Sequence, residues 1–412
     1  MDVFALERTK RRNITPNKHL NISLLMIYYM GMWPAQGKYR YLYFMYTICC
    51  FTFLLGIILT TEIAYLIVNW GDIAKLAAGA TLLMTNTCHA CKVIIILCRH
   101  ERIRCLIDVT RSKLFSRDNI KYERIVTYYT WQGIFHHIAY QSFGTMAVIS
   151  WGVSPIIDLL SERSKQLPIE GWYPYNVTVS PVFEITSFYQ AVAIFICCFN
   201  NVAIDTLITG FITIACCQLT LLNRNISSLN PEAEKQSIVS KDDVDVKRST
   251  IETYNRTYDN LKLCIEHSNM IFDFSKEIQS IFGTAIFFQF LVNCIIICLI
   301  AFNMAQMKVY ILHVLFGMLM YMCCMTYQIF IFCWHGNELY LHSLDVVLAS
   351  YSNDWWQRTK NFKRAIQIIM TRSQRPLILT AGNIMELSLQ NFVRILRMSY
   401  SIFTVLQTST DV

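Results

Sequence analysis

The chain has 412 residues, of which 54% are hydrophobic and 16% are charged, and its formal net charge is +8 at pH 7. Because soluble domains carry about 25% charged residues, the composition excludes an ordinary soluble protein. The apolar residues form runs of roughly 20 residues, the length that an α-helix needs to cross a bilayer, whereas a transmembrane barrel would show short alternating strands. The predicted fold class is therefore an all-α polytopic membrane protein.

The apolar runs predict seven transmembrane helices. A shorter apolar run at 20–34 ends at Trp33 and Pro34 and is predicted to form an interfacial helix. The third and fourth spans are longer than a bilayer needs, which predicts that they tilt or extend beyond the membrane. In chain order the spans cover residues 42–68, 73–98, 128–157, 185–222, 279–303, 309–334 and 384–408.

The distribution of Lys and Arg predicts the orientation. Twenty-nine of them lie in the segments 1–40, 99–127, 223–278 and 335–383, and three lie in the alternate connections. Because basic loops stay in the cytoplasm, the N-terminus is predicted to be cytoplasmic and the C-terminus, after seven spans, extracellular. A rhodopsin-like G-protein-coupled receptor has the opposite orientation, and this sequence also lacks the DRY-like and NPxxY-like elements of such a receptor.

Polar segments between the spans define the predicted organisation. Asn176 begins an Asn-Val-Thr sequon in the largest outside loop and is a candidate glycosylation site. The predicted regions are a cytoplasmic N-terminus with the interfacial helix (1–40), spans one to four (41–222) with an extracellular loop (158–184), a cytoplasmic loop and helical extension (223–278), spans five and six (279–334), a cytoplasmic amphipathic anchor helix (335–378), and span seven with the extracellular C-terminus (379–412).

No catalytic or cofactor motif is recognisable. The sequence has no GxSxG, P-loop, HExxH or EF-hand pattern, and the CxxC of Cys88 and Cys91 lies in an apolar helix without a second pair to complete a zinc site. Asp205 lies within an apolar run, where a carboxylate is expected to pair or to line water, so a gating or assembly role and a structural role both stay open. We expect no enzymatic activity, no cofactor, no metal and no nucleic-acid partner.

Four segments resemble motifs of the insect odorant receptor family. The last is the most specific, and together the four extend over nearly the whole chain. They are "MGMWP" at 30–34, "LPIEGWYPYNVTVSP" at 167–181, "HGNEL" at 335–339 and "MTRSQRPLILTAGNIMELSLQNFVRILRMSYSIFTVL" at 370–406.

The resemblance implies an odorant-gated non-selective cation channel in the plasma membrane of sensory neurons. In that family the inner ends of spans four to six and the helix before the last span hold four subunits together, and the last helix lines a central pore. The loop at 223–253 is shorter than that of the shared co-receptor, which implies an odorant-binding tuning subunit. The resemblance implies that it assembles with co-receptor subunits into a tetramer in contact with membrane lipid. The alternatives are a gustatory-receptor-like homomeric channel, whose TYxxxxxQF element "SYSIFTVLQT" does not match, and, less favoured, a seven-helix enzyme or a G-protein-coupled receptor.

A small volatile odorant needs an apolar pocket with few polar groups. The architecture implied by the resemblance places it among the outer halves of spans two, three, four and six, with Trp172 and Tyr175 of the extracellular loop as a cap. Packing against a neighbouring helix is the alternative for any one of the side chains. The candidate ligand-binding residues are Ala80, Leu83, Met84, Phe143, Ala147, Trp151, Phe188, Tyr189, Val192, Tyr310, His313, Gly317 and Tyr321.

The last span carries the candidate pore residues. Ser401, Val405 and Thr408 follow at helical spacing and share one face, so in a tetramer a ring of valines would lie between two rings of hydroxyls. Such a ring can close a pore by dewetting, and the resemblance places the outer constriction at Val405. Arg394 and Arg397 are expected to reach the inner interface or to face water where the pore widens. The alternative is that this face packs against span five or six.

Overall fold

The structure, a computed structural model, describes residues 17–33, 39–160, 166–229, 243–307 and 312–410. These residues are almost entirely helical. A π-helical turn at Phe51–Gly56 joins the helices Arg40–Cys50 and Ile57–Val68, and a 3-10 turn at Trp355–Gln357 follows the helix that ends at Tyr351. The helices are α1 (Lys18–Tyr29), α2 (Arg40–Cys50), α3 (Ile57–Val68), α4 (Ile73–Cys98), α5 (His100–Thr110), α6 (Lys113–Ser116), α7 (Glu123–Leu160), α8 (Val182–Ser227), α9 (Asp243–Ala305), α10 (Leu312–Tyr351), α11 (Lys360–Ser373) and α12 (Leu389–Thr410).

Six helical stretches in the described part of the chain are long and apolar enough to cross a membrane. They coincide with the first six predicted spans. The seventh predicted span falls on α12, which is less apolar because it includes Arg394, Arg397 and several hydroxyl side chains. Its passage through the membrane therefore stays a prediction. The six stretches are Arg40–Val68, Lys75–Cys98, Glu123–Leu160, Val182–Ser227, Arg256–Ala305 and Leu312–Gln357.

The central element of the bundle is α8. It has 46 residues and is about 69 Å long at ~1.5 Å per residue, and it contacts α1, α4, α7, α9 and α10. All residues from Asn200 to Leu219 are buried. Because α8 is enclosed by protein on every side there, the polar groups that it carries must find partners within the bundle.

The N-terminal helix α1 packs against α8 and α7, a contact that its sequence did not predict, and its position at the membrane interface stays a prediction. Ser23 Oγ lies 2.9 Å from Thr206 Oγ1, and His19 is buried. The physical reason is a groove made by two glycines: a Cβ at Gly133 would lie 2.6 Å from His19 Cγ, and a Cβ at Gly210 would lie 3.2 Å from His19 Cδ2.

The region 335–378 contains two helices where the sequence predicted one. α10 continues to Tyr351, the chain then turns, and α11 packs back on α10. The turn is tied to the end of α8, because the buried Asn353 side chain donates to Ile226 O at 3.1 Å and Arg358 donates to Leu229 O at 2.9 Å. We call residues 99–127 and 335–378 the basic end of the bundle; they include α5, α6 and α11.

The last helix begins at Leu389, five residues later than predicted, because a β-hairpin precedes it. β1 (Thr380–Ala381) pairs antiparallel with β2 (Met385–Glu386). Gly382 and Asn383 between them both have positive φ, a conformation that glycine and asparagine tolerate and that tight turns require. The predicted loop and helical extension at 223–278 falls on the end of α8, on α9, and on residues 230–242, which lie outside the described residues.

Candidate functional site

An internal cavity of about 60 Å³ lies between α4, α7, α8 and α10. One part of its wall is apolar and another is polar. The apolar side chains are Leu82, Ala147, Val148, Trp151, Ile194, Val202 and Met325, and the polar ones are Thr85, Asn86, His89, Tyr140, Asn201 and Tyr321, with Cys197, Cys198, Cys324 and Gly144 between them.

Three residues predicted for ligand binding line this cavity: Ala147, Trp151 and Tyr321. The rings of Trp151 and Tyr321 meet edge to face with centroids 5.1 Å apart. Tyr321 Oη also lies 2.6 Å from Thr85 Oγ1, so the aromatic pair is fixed to α4. Gly317, one turn before Tyr321 on α10, lies beside this pair, since a Cβ there would be 3.1 Å from Trp151 Nε1.

His313, Trp172 and Tyr175 lie nearer the ends of the helices. The His313 carbonyl accepts from Ser150 Oγ, which joins α10 to α7 above the cavity. The Trp172 amide donates to Thr61 O at 3.0 Å, and its indole is exposed. Tyr175 Oη lies 3.2 Å from Thr186 Oγ1. None of the three is among the described residues that line the cavity.

The other predicted residues lie on different helix faces. Phe188 is 73% exposed, Val192 is exposed, and the Tyr189 hydroxyl donates to Phe53 O. Phe143 packs on Tyr327 with ring centroids 5.6 Å apart. Ala80, Leu83 and Met84 are half-buried on α4 outside the cavity wall, and Tyr310 lies outside the described residues.

The polar wall was not predicted, although a signal was available. Leu82, Thr85, Asn86 and His89 follow at spacings of three, four and seven and therefore share one face of α4. Polar side chains inside an apolar span turn toward the interior of a helix bundle. The same argument applies to Asn201 on α8. A search for polar residues in the spans, and not only for aromatic ones, would have found this wall.

A buried ionic network adjoins the cavity. Lys92 Nζ lies 2.8 Å from Asp205 Oδ1, and these side chains are 4% and 0% exposed. The Tyr140 hydroxyl, part of the cavity wall, donates to Asp205 Oδ2 at 3.2 Å, and the Gln328 amide donates to the same oxygen. Asp205 is thus a paired carboxylate with three donors, as a charge inside an apolar bundle requires.

The network continues to the helix that contacts α12. Gln328 Oε1 accepts from Asn293 Nδ2 at 2.8 Å, which brings it onto α9. The next residue, Cys294, accepts from Ser399 Oγ of α12 at 3.3 Å, and Ser399 is 1% exposed. An unbroken set of buried contacts therefore runs from the cavity wall to the last helix.

The opposite face of α12 is exposed. Val405 is 69% exposed, and Ser401, Thr408, Arg394 and Arg397 are exposed on the same face. Among the described residues this face does not pack against α9 or α10, which was the alternative to a role in a pore. It presents guanidinium, hydroxyl and valine side chains in a single row.

The β-hairpin fixes the start of α12 to α9. Thr380 N donates to Gln279 Oε1 at 2.9 Å, and Gly382 N donates to Gly283 O at 2.8 Å. A Cβ at Gly382 would lie 2.9 Å from Phe287 Cβ, so the close approach needs glycine. The hairpin therefore holds the start of α12 against α9.

Apolar helices around an internal cavity, followed by a helix with an exposed polar row, define a multi-pass helical membrane protein. The family model described as 7tm Odorant receptor matches residues 72–400. The chain belongs to this family, and the resemblance drawn from its motifs is confirmed.

Related proteins and structures agree with this assignment. The chain is 24% identical to Odorant receptor Or1 of Anopheles gambiae over 402 residues, 94% of each chain. It is 28% identical to Odorant receptor 10 of Aedes albopictus over 55% of this chain and 56% of that protein. The solved insect olfactory receptor OR5 from Machilis hrabei in complex with eugenol has the same fold, with a TM-score of 0.79, 16% identity, and coverage of 96% of this chain and 98% of that one.

Proposed function

We propose that this chain is the odorant-binding tuning subunit of an odorant-gated, non-selective cation channel that works with co-receptor subunits, as a tetramer, in the plasma membrane of sensory neurons. The observation that carries the proposal is the internal cavity and its buried connection, through Asp205, Gln328 and Asn293, to the last helix. A ligand site joined to a pore helix is what a ligand-gated channel needs.

The ligand is a small volatile organic molecule. The Machilis receptor was solved with eugenol, a molecule of this kind. The cavity of about 60 Å³ is smaller than the ~300 Å³ at the lower end of ligand pockets, so binding must enlarge it. Met325 and Trp151 in its wall can move, since methionine is flexible and the indole is only partly buried.

Enlargement of the cavity is the step that opens the channel in this proposal. Displacing Tyr140 disturbs its hydrogen bond to Asp205, and displacing Met325 disturbs the bond that its carbonyl accepts from Asn293 of α9. α12 is held at its hairpin and is free along its exposed face, so its far end can shift.

In the assembled channel α12 is the seventh span, and Ser401, Val405 and Thr408 line the outer part of the pore. Arg394 and Arg397 lie on the same exposed face nearer the hairpin, which supports a position in a wide, water-filled inner part where their charge does not block cations. In the proposed tetramer the last helices of four chains form the ring around the pore.

Current recording tests the proposal. Cells that express the chain together with an insect odorant co-receptor should give an odorant-evoked cation current, whereas cells that express the chain alone should give none. Current from the chain alone would favour the homomeric alternative. Silence in both cases, with the chain shown to be at the cell surface, would contradict the proposal.

The cavity itself is tested with a matched pair of tryptophans on α7. Trp151→Ala removes an aromatic wall and should raise the half-maximal odorant concentration about ten- to a hundredfold, equivalent to about 1–3 kcal/mol of lost contact. Trp131→Ala changes an indole that is 63% exposed on the outside of the bundle and should leave the dose–response curve in place. Equal curves for the two variants would place the ligand elsewhere.

A further inference from the structure

Most polar side chains in the cavity wall already have hydrogen-bond partners. Tyr321 pairs with Thr85 at 2.6 Å, and the Tyr140 hydroxyl donates to Asp205. The Asn86 amide donates to Glu62 Oε1 at 2.8 Å. The hydroxyl protons of Tyr321, Thr85 and Tyr140 are therefore already engaged. A ligand could accept from these hydroxyls only by breaking an existing bond, which makes them poor donors for recognising its polar part.

Two side chains in the wall keep polar atoms without a partner in the described part of the chain. His89 is 2% exposed and Asn201 is 8% exposed, and both line the cavity. His89 Nδ1 and Asn201 Oδ1 are buried and make no hydrogen bond. Buried polar atoms are nearly always paired, so two unpaired ones in the wall of a ligand cavity indicate that the partner comes from what the cavity holds.

The hydrogen bond at His89 Nε2 determines whether the unpaired Nδ1 is a donor or an acceptor. The Asn200 amide nitrogen lies 3.1 Å from His89 Nε2. Because an amide nitrogen only donates, Nε2 accepts and carries no proton. The single proton of the neutral ring is then on Nδ1, which is a donor. Asn201 Oδ1, a carbonyl oxygen, is an acceptor. The two buried unpaired atoms are thus one donor, His89 Nδ1, and one acceptor, Asn201 Oδ1.

We propose that the cavity recognises a hydroxyl-bearing ligand, an alcohol or a phenol, whose oxygen accepts from His89 Nδ1 and whose O–H donates to Asn201 Oδ1. A hydroxyl supplies one donor and two lone pairs, whereas an ether or an aldehyde supplies acceptors alone. The apolar wall of Val148, Trp151 and Met325 receives the hydrocarbon part. The inference rests on the proposed function, because it names the ligand class of the same cavity.

Matched odorants test the ligand class in wild-type channels that contain the co-receptor. The probes are benzyl alcohol, 2-phenylethanol, 1-hexanol and 1-octanol, each compared with its methyl ether, its aldehyde and its amine. In at least one set the alcohol should act at a half-maximal concentration at least tenfold below that of every matched analogue. If an ether, an aldehyde or an amine equals or exceeds the alcohol in every set that gives current, the inference is wrong while the proposed function stands. Silence toward all probes, with surface expression shown, contradicts both.

Two variants test the residues. Asn201→Leu removes the acceptor and His89→Leu removes the donor, and each should reduce the preference for the alcohol over its methyl ether at least tenfold. The preference is a ratio within one variant, so a change in expression does not alter it. Ile185→Ala, on the exposed side of α8, is the control and should keep the wild-type ratio. An unchanged ratio in both leucine variants would overturn the assignment of His89 and Asn201 to hydroxyl recognition. If neither variant reaches the surface, the selectivity of the wild-type channel decides the ligand class.

Discussion

Gly336 of α10 packs against Leu387, which precedes α12 by two residues. A Cβ at position 336 would lie 2.3 Å from Leu387 Cβ and 2.5 Å from Leu387 O. Side-chain rotation cannot relieve a contact with backbone, so the helix and the segment must separate. The His-Gly-Asn-Glu-Leu segment was identified from sequence as a family motif, but the reason for its glycine is a tertiary contact that no local pattern encodes.

Gly336→Ala should lower the free energy of unfolding by about 1–3 kcal/mol, the usual effect of overpacking. Gly152→Ala is the control, because its nearest neighbour, Ala191 Cβ, would lie at 3.6 Å, an ordinary contact. Thermal unfolding of detergent-solubilised protein should show a lower midpoint for the first variant and not for the second. Equal midpoints would mean that Leu387 can move away freely.

Asp205 shows how far sequence reasoning reaches at a single residue. A carboxylate in an apolar run predicts a partner, and the structure supplies Lys92 at 2.8 Å. The identity of that partner was not predictable, since Lys92 belongs to another helix and only the packing of α4 on α8 brings the two together.

Removing one member of this pair leaves the other charge buried, which costs about 3–5 kcal/mol. Asp205→Leu and Lys92→Met should each strongly lower the thermal midpoint, whereas the double variant should lose less than the sum of the two, because no unpaired charge remains. Thermal unfolding of the four proteins measures this coupling. Additive losses would show that the ion pair does not stabilise the fold.

At the scale of helices, the apolar runs placed the six long spans because length and composition alone determine them. The three differences between the helices expected from the sequence and those observed share one cause. α1 packs into a glycine groove, α10 breaks where Asn353 bonds the end of α8, and α12 starts late because a hairpin docks on α9. Each is decided by a contact with a distant element. The cavity follows the same rule in part. Trp151 and Tyr321 were predicted from the architecture that the family resemblance implies. The polar face of α4 could be read from its spacing, but only the packing of α7, α8 and α10 around it shows that this face lines a cavity.

The two faces of α12 make an accessibility test possible. Cysteine at Ser401 or Thr408, both exposed, should react with a charged thiol reagent in the odorant-activated channel and change the current. Ser399→Cys is the control, because position 399 is 1% exposed and faces Cys294, and it should not respond. The parent chain has exposed cysteines such as Cys105, so its own response to the reagent is subtracted. Reaction at Ile402 and Leu406 instead of at 401 and 408 would assign the pore to another face.

At the scale of the whole molecule, the charge distribution and the number of spans must place the two termini on the same predicted sides of the membrane. The described basic segments 99–127 and 335–378 lie at one end of the bundle, since Tyr122 and His342 both bond the end of α8. Six long apolar helices by themselves would return the chain to the side where it began. The two termini lie on opposite sides only if α12 also crosses. A pore-lining helix can cross with polar side chains because its exposed row faces water and not lipid.

Epitope-tagged chains test whether α12 crosses the membrane. An epitope at residue 1 should stain only after cells are permeabilised, whereas one after Val412 should stain on intact cells, since basic segments stay in the cytoplasm. Asn176 is an independent reporter: it is exposed in the loop before α8, where its Oδ1 accepts from Thr178 N at 3.0 Å. If that loop is extracellular, a glycosidase should increase the mobility of the wild-type protein on a gel and have no effect on Asn176→Gln. A C-terminal tag hidden on intact cells while Asn176 carries glycan would show that α12 does not cross, and Ser401, Val405 and Thr408 would then have no pore to line.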